Sequence, residues 1–403
     1  MGKIADISSK ESPFTPGRPV PIEYFVARAK EIERFQRAIR QTASGRNENL
    51  FITGNRGMGK SSLANYMKCV AEREYGFVGT HCHLSGVKSL EEMASAVFRG
   101  LLRDCSDSDL FGKLKSLFER YIKGVNLFGV NIEFTDDVAK QKELLNNFLP
   151  ALRKVHESIA EKGHKALMLV LDDLNGITDV PEFAGFLKSF VDEMATTHKP
   201  FPLLLVLVGT PDRRNDLVKH NESVARIFDI IELAPMDEGE SEEFFKTMFD
   251  KQKITVEPKA SENMVDWSGG YPMLMHEIGD AVFWQNSDTV IDVSDAVGGI
   301  QEAARIVGKK YIDVAAINKS TVYPDILGQM RVLLRQSGEF KRQKLSEKLN
   351  ENQQKNLDNF LAKMTSLGII EAAQTHGFYK VVNPLYRLYL WYEAENIIKQ
   401  PAF

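Results

Sequence analysis

The chain has 403 residues, enough for two or three compact domains, and its contents of 43% hydrophobic and 26% charged residues are ordinary for a globular protein. A net charge of −4 creates no global field that would attract nucleic acid or a membrane surface. The apolar runs are shorter than the ~20 residues of a membrane helix, and the three cysteines make no paired framework. The first ten residues lack the apolar core of a secretory signal. We therefore expect a cytoplasmic protein with no membrane partner.

The first half of the chain alternates between predicted helices and strands. Residues 1–20, rich in Ser, Pro and Gly, are predicted to be a loosely ordered, flexible arm. Residues 105–165 are predicted to be an insertion that contains a hairpin at 124–134 and a long helix at 137–160. Apolar spacing predicts helices at 29–43, 60–74 and 90–102, and strands at 50–53, 77–84, 166–171 and 202–208. Continuous apolar strands between helices indicate an α/β fold with a parallel sheet covered on both faces, which we place in residues 21–236.

The second half is predicted to be mostly helical. Residues 237–318 have an all-helical pattern, interrupted by a Gly-Gly-Tyr-Pro turn at 269–272, and are expected to form a helical lid. Residues 319–403 are predicted to contain three helices (324–336, 341–350 and 352–366), a β-hairpin through 368–382 and a final aromatic segment. Three short helices followed by a hairpin are typical of a winged-helix domain. This segment holds 12 Lys and Arg against 8 Asp and Glu, a net of +4, while the rest of the chain carries −8.

A phosphate-binding motif follows the first predicted strand. The sequence from Gly54 to Ser61 fits G-x-x-x-x-G-K-[ST] at every specified position, and it opens a helix. Its glycines let backbone N–H groups turn towards phosphate oxygens, which the helix N-terminus also attracts. Lys60 is expected to neutralise the β- and γ-phosphates, and the Ser61 hydroxyl is expected to bind Mg²⁺. The motif predicts an ATP site with a magnesium ion.

Acidic residues supply the second half of that site. The apolar strand at 166–171 ends in Asp172 and Asp173, at the sheet edge where ligands of α/β folds bind. We expect Asp172 to hold the Mg²⁺ shell and Asp173 to orient or deprotonate the attacking water. Thr210 follows the next strand, where its hydroxyl is a candidate contact to the γ-phosphate or the water.

Several segments together resemble the AAA+ and STAND ATPases, in particular the archaeal ATPase family and the origin-recognition initiators. Residues 25–32 resemble their F-x-G-R-x-x-E-L box, with Ala27 in place of the usual glycine. Residues 224–235 are similar to the S-x-x-R-x-F segment and the L-x-P-L segment that follows it. The turn at 269–272 is similar to the G-x-P turn that contacts adenine in STAND lids. The absence of an arginine near that turn, and the Asp-Asp ending of the acidic strand, favour the STAND-like side.

This resemblance implies a nucleotide-driven switch that holds ATP between core and lid and assembles into homo-oligomers. In such assemblies an arginine of a neighbouring subunit completes the site, and Arg226 is the first candidate, followed by Arg213 and Arg214. A surface position or a phosphate contact in cis stays open for all three. The candidate nucleotide-binding residues are Gly54, Asn55, Arg56, Gly57, Met58, Gly59, Lys60, Ser61, Ser62, Arg28 and Pro272. The candidate catalytic residues are Lys60, Asp172, Asp173, Thr210 and Arg226, and the candidate metal ligands are Ser61 and Asp172.

Two weaker signals have competing interpretations. His81 and His83 share one face of a predicted strand. Two ligands do not make a structural zinc site, which normally needs four, so we interpret both as plain strand residues. His276 is expected to be a packed or solvated histidine. In the C-terminal segment, Lys355, Lys363 and Lys380 would suit a phosphate-contacting surface. Winged helices also dock proteins, so DNA and a regulatory protein both stay open as partners.

The sequence therefore favours a slow, Mg²⁺-dependent ATPase that acts as a regulatory switch of the AAA+/STAND type. The first alternative is a DNA-binding AAA+ protein that acts in replication, transposition or repair. The second is a scaffold that binds ATP without hydrolysing it.

Overall fold

The computed structural model describes residues 11–104, 112–115, 138–196, 201–314 and 321–399. Their helices and strands alternate through the first half of the chain, as the sequence predicts. The helices are α1 (Ala29–Ala43), α2 (Lys60–Tyr75), α3 (Leu90–Asp104), α4 (Val138–Ala160), α5 (Pro181–Thr196), α6 (Pro211–His220), α7 (Val224–Ile227), α8 (Glu238–Asp250), α9 (Pro258–Ser268), α10 (Pro272–Gln285), α11 (Val293–Val307), α12 (Tyr323–Ser337), α13 (Arg342–Ser346), α14 (Glu351–Ser366) and α15 (Pro384–Lys399). The strands are β1 (Glu48–Gly54), β2 (Phe77–His83), β3 (Ala166–Asp172), β4 (Leu203–Gly209), β5 (Asp229–Leu233), β6 (Thr255–Val256), β7 (Val290–Ile291), β8 (Glu339–Lys341), β9 (Ile370–Ala372) and β10 (Phe378–Val381).

A five-stranded parallel sheet forms the centre of the first half, in the order β2-β3-β4-β1-β5. All seven residues of β3 and of β4 are buried, which explains why these strands are continuous apolar runs. Alternate residues face opposite sides of the sheet: Phe51, Leu169 and Leu205 join one apolar cluster with helices α3, α4 and α5, whereas Leu50 and Val170 do not. The parallel sheet covered on both faces is the predicted α/β class.

The described residues divide into two compact units. One consists of Pro21–Asn55 and Gly59–Ala234, close to the 21–236 core that the sequence predicts. The other consists of the described residues within 1–20, 56–58 and 235–403. This second unit joins the predicted lid and the predicted C-terminal domain, so the boundary between residues 318 and 319 stays a prediction. The hairpin predicted at 124–134 lies outside the described residues.

The second unit departs from the predicted pattern at short strands. The segment 237–318 is not all-helical, because β6 and β7 pair in parallel within it. Near the C-terminus, β8 precedes α13 and pairs with β10, so the predicted hairpin of β9 and β10 is a three-stranded antiparallel sheet in the order β8-β10-β9. The second of the three predicted helices is short, and the aromatic segment forms α15. Its Tyr386 and Tyr389 are buried, as packing residues should be.

The second half of the N-terminal arm is packed rather than loose. Phe14 is 4% exposed, and its ring lies 5.0 Å from the ring of Phe249. The Thr15 N–H donates a hydrogen bond to His276 Nδ1 at 3.2 Å. The prediction of a flexible arm is therefore wrong for this part, because a single aromatic residue provides enough apolar contact to fix the chain.

None of the helices in the described ranges combines the length and the apolar character that crossing a bilayer requires.

Candidate functional site

The phosphate-binding motif forms the predicted loop between β1 and α2. Gly54, Gly57 and Gly59 have φ values of 150°, 82° and 81°, which only glycine adopts without strain. A Cβ atom on Gly54 would also lie 2.6 Å from the Leu233 carbonyl oxygen. The Lys60 ammonium donates to the carbonyl oxygens of Gly54 and Asn55, at 2.9 and 2.8 Å, so it curls over its own loop. The loop thus has the backbone freedom and the cation that phosphate binding needs.

The carboxylate of Asp172 lies next to this loop. The Asp173 N–H donates a hydrogen bond to Asp172 Oδ1 at 2.7 Å, and the Ser61 hydroxyl lies close enough to affect the pKa of this carboxyl. Burial would raise the pKa of Asp172, but the hydrogen bonds from His81, Ser61 and Asp173 outweigh burial and hold the pKa below its ordinary value. Asp172 is therefore an anion at neutral pH, although it is only 3% exposed.

Asp173 occupies an unusual backbone conformation, with φ at 55°. Asn175 donates a side-chain hydrogen bond to Asp173 Oδ1, which fixes the direction of the carboxylate. Non-glycine residues in this region of φ cluster at functional sites, where the surrounding structure holds them in place. No signal in the sequence indicated Asn175, because its position depends on the turn that Asp173 makes.

The register of the sheet places the ends of three strands side by side. Asp172 at the end of β3 lies opposite Val208 of β4, and Thr53 of β1 lies opposite Gly209. Thr210 directly follows and is the N-cap of α6, although its side chain makes no capping hydrogen bond. The structure therefore brings Ser61, Asp172 and Asp173 together and puts Thr210 at the same sheet edge.

Arg28 stands at the start of α1, also in an unusual conformation. Ala27 and Arg28 have φ values of 64° and 66°, and Arg28 is 3% exposed. Its guanidinium lies 3.4 Å from a carboxylate oxygen of Glu31. The positive φ of Ala27 explains why the box that this segment resembles usually has a glycine there.

The three candidate arginines are not equivalent. Arg213 is held by Asp179 and Asp216, at 2.9 and 3.1 Å, so it serves within its own chain. Arg226 is exposed at the end of α7, and among the described residues none makes a hydrogen bond or ion pair with its side chain. Arg214 is half-buried. An arginine that contacts a neighbouring subunit must be exposed, and of these three arginines Arg226 is the exposed one.

The Gly-Gly-Tyr-Pro turn is built as predicted. Gly269 and Gly270 have φ values of 59° and 72°, and Pro272 is buried at the first position of α10. A Cβ atom on Gly270 would overlap the backbone of Met236, whose N–H donates to the Gly270 carbonyl oxygen at 2.8 Å. Glycine is therefore required for close backbone approach as well as for φ.

His81 and His83 are more than plain strand residues. His81 Nε2 lies 2.8 Å from Asp172 Oδ2, and the two imidazole rings stack with centroids 4.7 Å apart. The sequence showed that both histidines share a face of β2, but it did not show that β2 pairs with the strand that ends in Asp172. The interpretation of His81 as a plain strand residue is wrong for that reason. His276, in contrast, is packed as expected, at 4% exposed.

Comparisons with known proteins agree with this geometry. Residues 24–206 match the family model of the AAA ATPase domain. Among solved structures, the chain is similar to a Walker-type ATPase of Pyrococcus abyssi, with 16% identity, a TM-score of 0.55 and coverage of 91% of this chain and 96% of that chain. It is also similar to the ORC2 protein of Aeropyrum pernix, with 12% identity, a TM-score of 0.58 and 96% of each chain covered.

A third similar structure is the Aeropyrum pernix ORC1 protein in complex with DNA, with 11% identity, a TM-score of 0.52 and coverage of 93% of this chain and 94% of that chain. No curated protein matches the sequence. Residues 24–206 thus resemble the AAA ATPase domain, and the chain shares its fold with the archaeal Walker-type ATPase and the ORC proteins, so the predicted resemblance and the predicted α/β fold class are confirmed.

Proposed function

We propose that the protein is a Mg²⁺-dependent ATP-binding and hydrolysing switch, which couples its nucleotide state to a regulatory partner or an assembly. The observation that carries this proposal is the position of Ser61, at the end of the phosphate-binding loop, close enough to the buried carboxylate of Asp172 to help lower its pKa. This position joins the phosphate-binding loop to the acidic strand, and in P-loop ATPases these two groups hold the metal ion. The matched AAA ATPase domain over residues 24–206 supports the same activity.

The residues present fit a magnesium ion. Mg²⁺ prefers hard oxygen ligands, and Ser61 offers a hydroxyl and Asp172 a carboxylate beside the loop. When bound, the ion supplies charge neutralisation for the phosphate oxygens. The chain's own residues do the rest: the loop N–H groups and Lys60 hold the phosphates, and Asp173, aimed by Asn175, orients the attacking water.

The nucleotide-driven switch is proposed to act in a homo-oligomer with a regulatory protein partner. An exposed Arg226 is suited to reach the site of a neighbouring subunit. If so, Arg226→Ala lowers turnover most at high protein concentration, where the wild type is assembled, while Arg73→Ala, an exposed arginine on α2, has little effect. Equal turnover of Arg226→Ala and wild type at all protein concentrations would exclude this role.

The first experiment is steady-state ATP turnover with and without duplex DNA, at two protein concentrations. Lys60→Ala is the inactive variant, and Lys68→Ala, which removes an ion-paired lysine from the same helix, is its control. Turnover that depends on Lys60 but not on Lys68 supports the ATPase. Turnover that survives in Lys60→Ala contradicts the proposal.

A DNA-acting AAA+ protein is the second candidate function. The C-terminal elements, in the chain order α12, β8, α13, α14, β9 and β10, have the content of a winged helix, and the similar ORC1 structure was solved in complex with DNA. Charge pairing argues against a strong phosphate-binding surface. Arg342 makes two hydrogen bonds to Asp358, and Lys380 pairs with Glu371 at 2.9 Å, so two of the basic residues are neutralised.

Salt dependence of duplex binding separates the two functions. A DNA-acting protein that uses Lys355 and Lys363 loses affinity steeply as salt rises, and each Lys→Ala change lowers the slope of log K against log salt by about one. Binding that is weak at all salt concentrations, together with turnover indifferent to DNA, favours the switch with a protein partner.

A further inference from the structure

Two histidines and one aspartate converge at the end of β2 and β3. His81 Nε2 and His83 Nδ1 lie 2.8 and 3.7 Å from the same atom, Asp172 Oδ2. The three potential ligand atoms lie within 4.8 Å of one another. In the part of the chain that the structure describes, this is the one group of three or more His, Cys, Asp or Glu side chains close enough to share an ion.

The convergence follows from strand register. β2 and β3 are parallel neighbours, with His83 opposite Asp172 and His81 opposite Val170. Since alternate residues of a strand share one face, both imidazoles emerge on the side of the sheet to which the Asp172 carboxylate turns. The other carboxylate oxygen, Oδ1, already accepts the Asp173 N–H. Oδ2 is thus the oxygen that both histidines approach.

Nucleotide chemistry does not account for this arrangement. Magnesium binding and water activation call for the Ser61 hydroxyl and the two carboxylates, and neither step uses an imidazole. Mg²⁺ is a hard cation that prefers oxygen, whereas imidazole nitrogen with one carboxylate suits first-row transition metals such as zinc, cobalt and nickel.

We propose that His81, His83 and Asp172 form a binding site for a divalent transition-metal ion of the zinc or cobalt type. Metal–ligand bonds of ~2.0–2.2 Å put the ligand atoms of a tetrahedral ion roughly 3.2–3.6 Å apart. The contact of His81 with Asp172 must open slightly from 2.8 Å, and that of His83 must close slightly from 3.7 Å. Both shifts are within the reach of side-chain rotation.

The site is open rather than structural. Three protein ligands leave at least one coordination position for water. This is typical of catalytic or exchangeable metal sites and differs from closed structural sites, which have four protein ligands. The His83 side chain is 63% exposed, while those of His81 and Asp172 are 11% and 4% exposed. An ion therefore enters from solvent through His83 without disruption of the sheet.

Metal at this site has a consequence for turnover, which rests on the proposed ATPase function. Asp172 is shared, so a transition-metal ion that binds Oδ2 withdraws negative charge from the carboxylate that the magnesium site uses. Zinc or cobalt is then an inhibitor of MgATP turnover, and the inhibition depends on the histidines.

Cobalt absorption tests the site directly, without nucleotide. Co²⁺ bound by two imidazoles and a carboxylate in four- or five-coordinate geometry gives visible d–d bands much stronger than those of the aqueous ion. We expect these bands in the wild type, and binding weaker by about tenfold or more in His83→Ala and His81→Ala. His220→Ala, which removes an exposed histidine of α6, is the control and keeps the wild-type spectrum.

His83→Ala is the decisive variant, because an exposed side chain can be removed without loss of the fold. A cobalt spectrum in His83→Ala equal to that of the wild type, or no visible band in the wild type, overturns the proposal. A thiolate-to-cobalt charge-transfer band would assign the ion to a cysteine and overturn it too.

The inhibition is measured separately, against each variant's own zinc-free rate in excess MgATP. Half-inhibition should need about tenfold more zinc in His83→Ala than in wild type or His220→Ala. Equal sensitivity to zinc overturns the shared role of Asp172. We expect Lys60→Ala to keep the cobalt spectrum while it loses turnover, because Lys60 is not one of the proposed metal ligands. A wild type that binds cobalt but hydrolyses no ATP would refute the ATPase function alone and would leave the metal site supported.

Discussion

Asp173 shows how a single residue is prepared for its proposed role. Its φ of 55° turns the side chain out of the line of β3, and the hydrogen bond from Asn175 fixes the carboxylate. A side chain that orients or deprotonates water contributes typically 10²–10⁴-fold to a rate. On the proposed function, we therefore expect Asp173 to affect hydrolysis without affecting ATP binding.

We predict that Asp173→Asn lowers ATP turnover about 10²-fold or more while ATP still binds. Asparagine tolerates the positive φ, so the fold is kept and the carboxylate charge alone is removed. Turnover and fluorescent-nucleotide binding are the two measurements. Asp179→Asn, which removes an exposed carboxylate that pairs with Arg213, is the control. Unchanged turnover in Asp173→Asn would favour another group as the water-orienting residue.

Ala27 offers a second prediction at this scale. An L-residue with a positive φ costs about 1–2 kcal/mol, and glycine in its place adds roughly 0.5–1 kcal/mol of freedom to the unfolded chain. The backbone strain that glycine relieves in the folded state is larger than the entropy that it adds to the unfolded chain. We expect Ala27→Gly to raise the free energy of unfolding by about 0.5–1 kcal/mol, measured by urea titration. Ala43→Gly, at the end of α1, should lower it instead. Destabilisation by Ala27→Gly would show that the Ala27 methyl group makes contacts worth more than the strain.

Residues within one motif were predictable from sequence, and residues joined across strands were not. The spacing from Gly54 to Ser61 is local, and Asp172 and Asp173 end an apolar strand, so both parts of the site could be assigned. The contact between His81 and Asp172 depends on β2 lying beside β3 with a particular register. Neither the order of the strands nor the register between them can be predicted from the spacing of residues along one strand.

Helix α10 has a glycine where the N-terminal arm packs. A Cβ atom on Gly279 would overlap the ring of Phe14, which also contacts α8 through Phe249. We predict that Gly279→Ala costs about 1–3 kcal/mol of stability, because overpacking forces the ring out of its place. Chemical unfolding monitored by tryptophan fluorescence measures the loss.

A double-mutant cycle identifies the cause of that loss. In Phe14→Ala the ring is gone, so adding Gly279→Ala should cost much less than it does in the wild type. Additive effects of the two changes would show that the alanine clashes with something other than Phe14.

The same helix carries a histidine whose burial makes stability depend on pH. Burial lowers the pKa of His276 from 6.5 to about 4, and the imidazole stays neutral to accept the Thr15 N–H. The unfolded chain takes up this proton near pH 6.5, whereas the folded chain does not until about pH 4. The contribution of His276 is therefore complete above pH 6.5 and is lost as the pH falls towards 4.

We predict that His276→Asn reduces the loss of stability between pH 6.5 and 4 by up to about 3 kcal/mol, since asparagine keeps an acceptor but takes up no proton. Urea unfolding at several pH values measures the difference between variant and wild type. His220→Asn, at an exposed position, should follow the wild type. Parallel pH curves for His276→Asn and the wild type would mean that His276 takes up its proton in the folded state.

Many of the long elements were predicted, although helix α5 was not, and the shortest strands were missed for a physical reason. Helix α1 and helix α4 have apolar residues at regular spacing over several turns, so their positions are clear from the sequence. Strands β6, β7 and β8 have two or three residues, which is too few for any period to show. Their formation depends on partners elsewhere in the chain.

For the whole molecule, nucleotide binding is predicted to raise stability by mass action. A ligand present at 100 times its dissociation constant, and bound by the folded state alone, adds about 2.7 kcal/mol. We expect MgATP to raise the midpoint of thermal unfolding of the wild type and of Lys68→Ala, but not of Lys60→Ala, in differential scanning calorimetry. A similar rise in Lys60→Ala would mean that nucleotide binds away from the phosphate-binding loop.

The order of strands in the sheet also means that β1 is synthesised well before the strands that pair with it. β1, which leads into the phosphate-binding loop, is paired on one side with β4 and on the other with β5, and Leu50 lies opposite Val206 and Asp229. A ribosome that adds 5–20 residues per second needs roughly 10–40 s to reach those partners after it has made β1. During that interval β1, with its apolar residues Leu50, Phe51 and Ile52, has neither of the strands that pair with it. A newly made chain is thus exposed to aggregation before it can form its loop, and a cell that makes this protein quickly has reason to shield that segment with a chaperone.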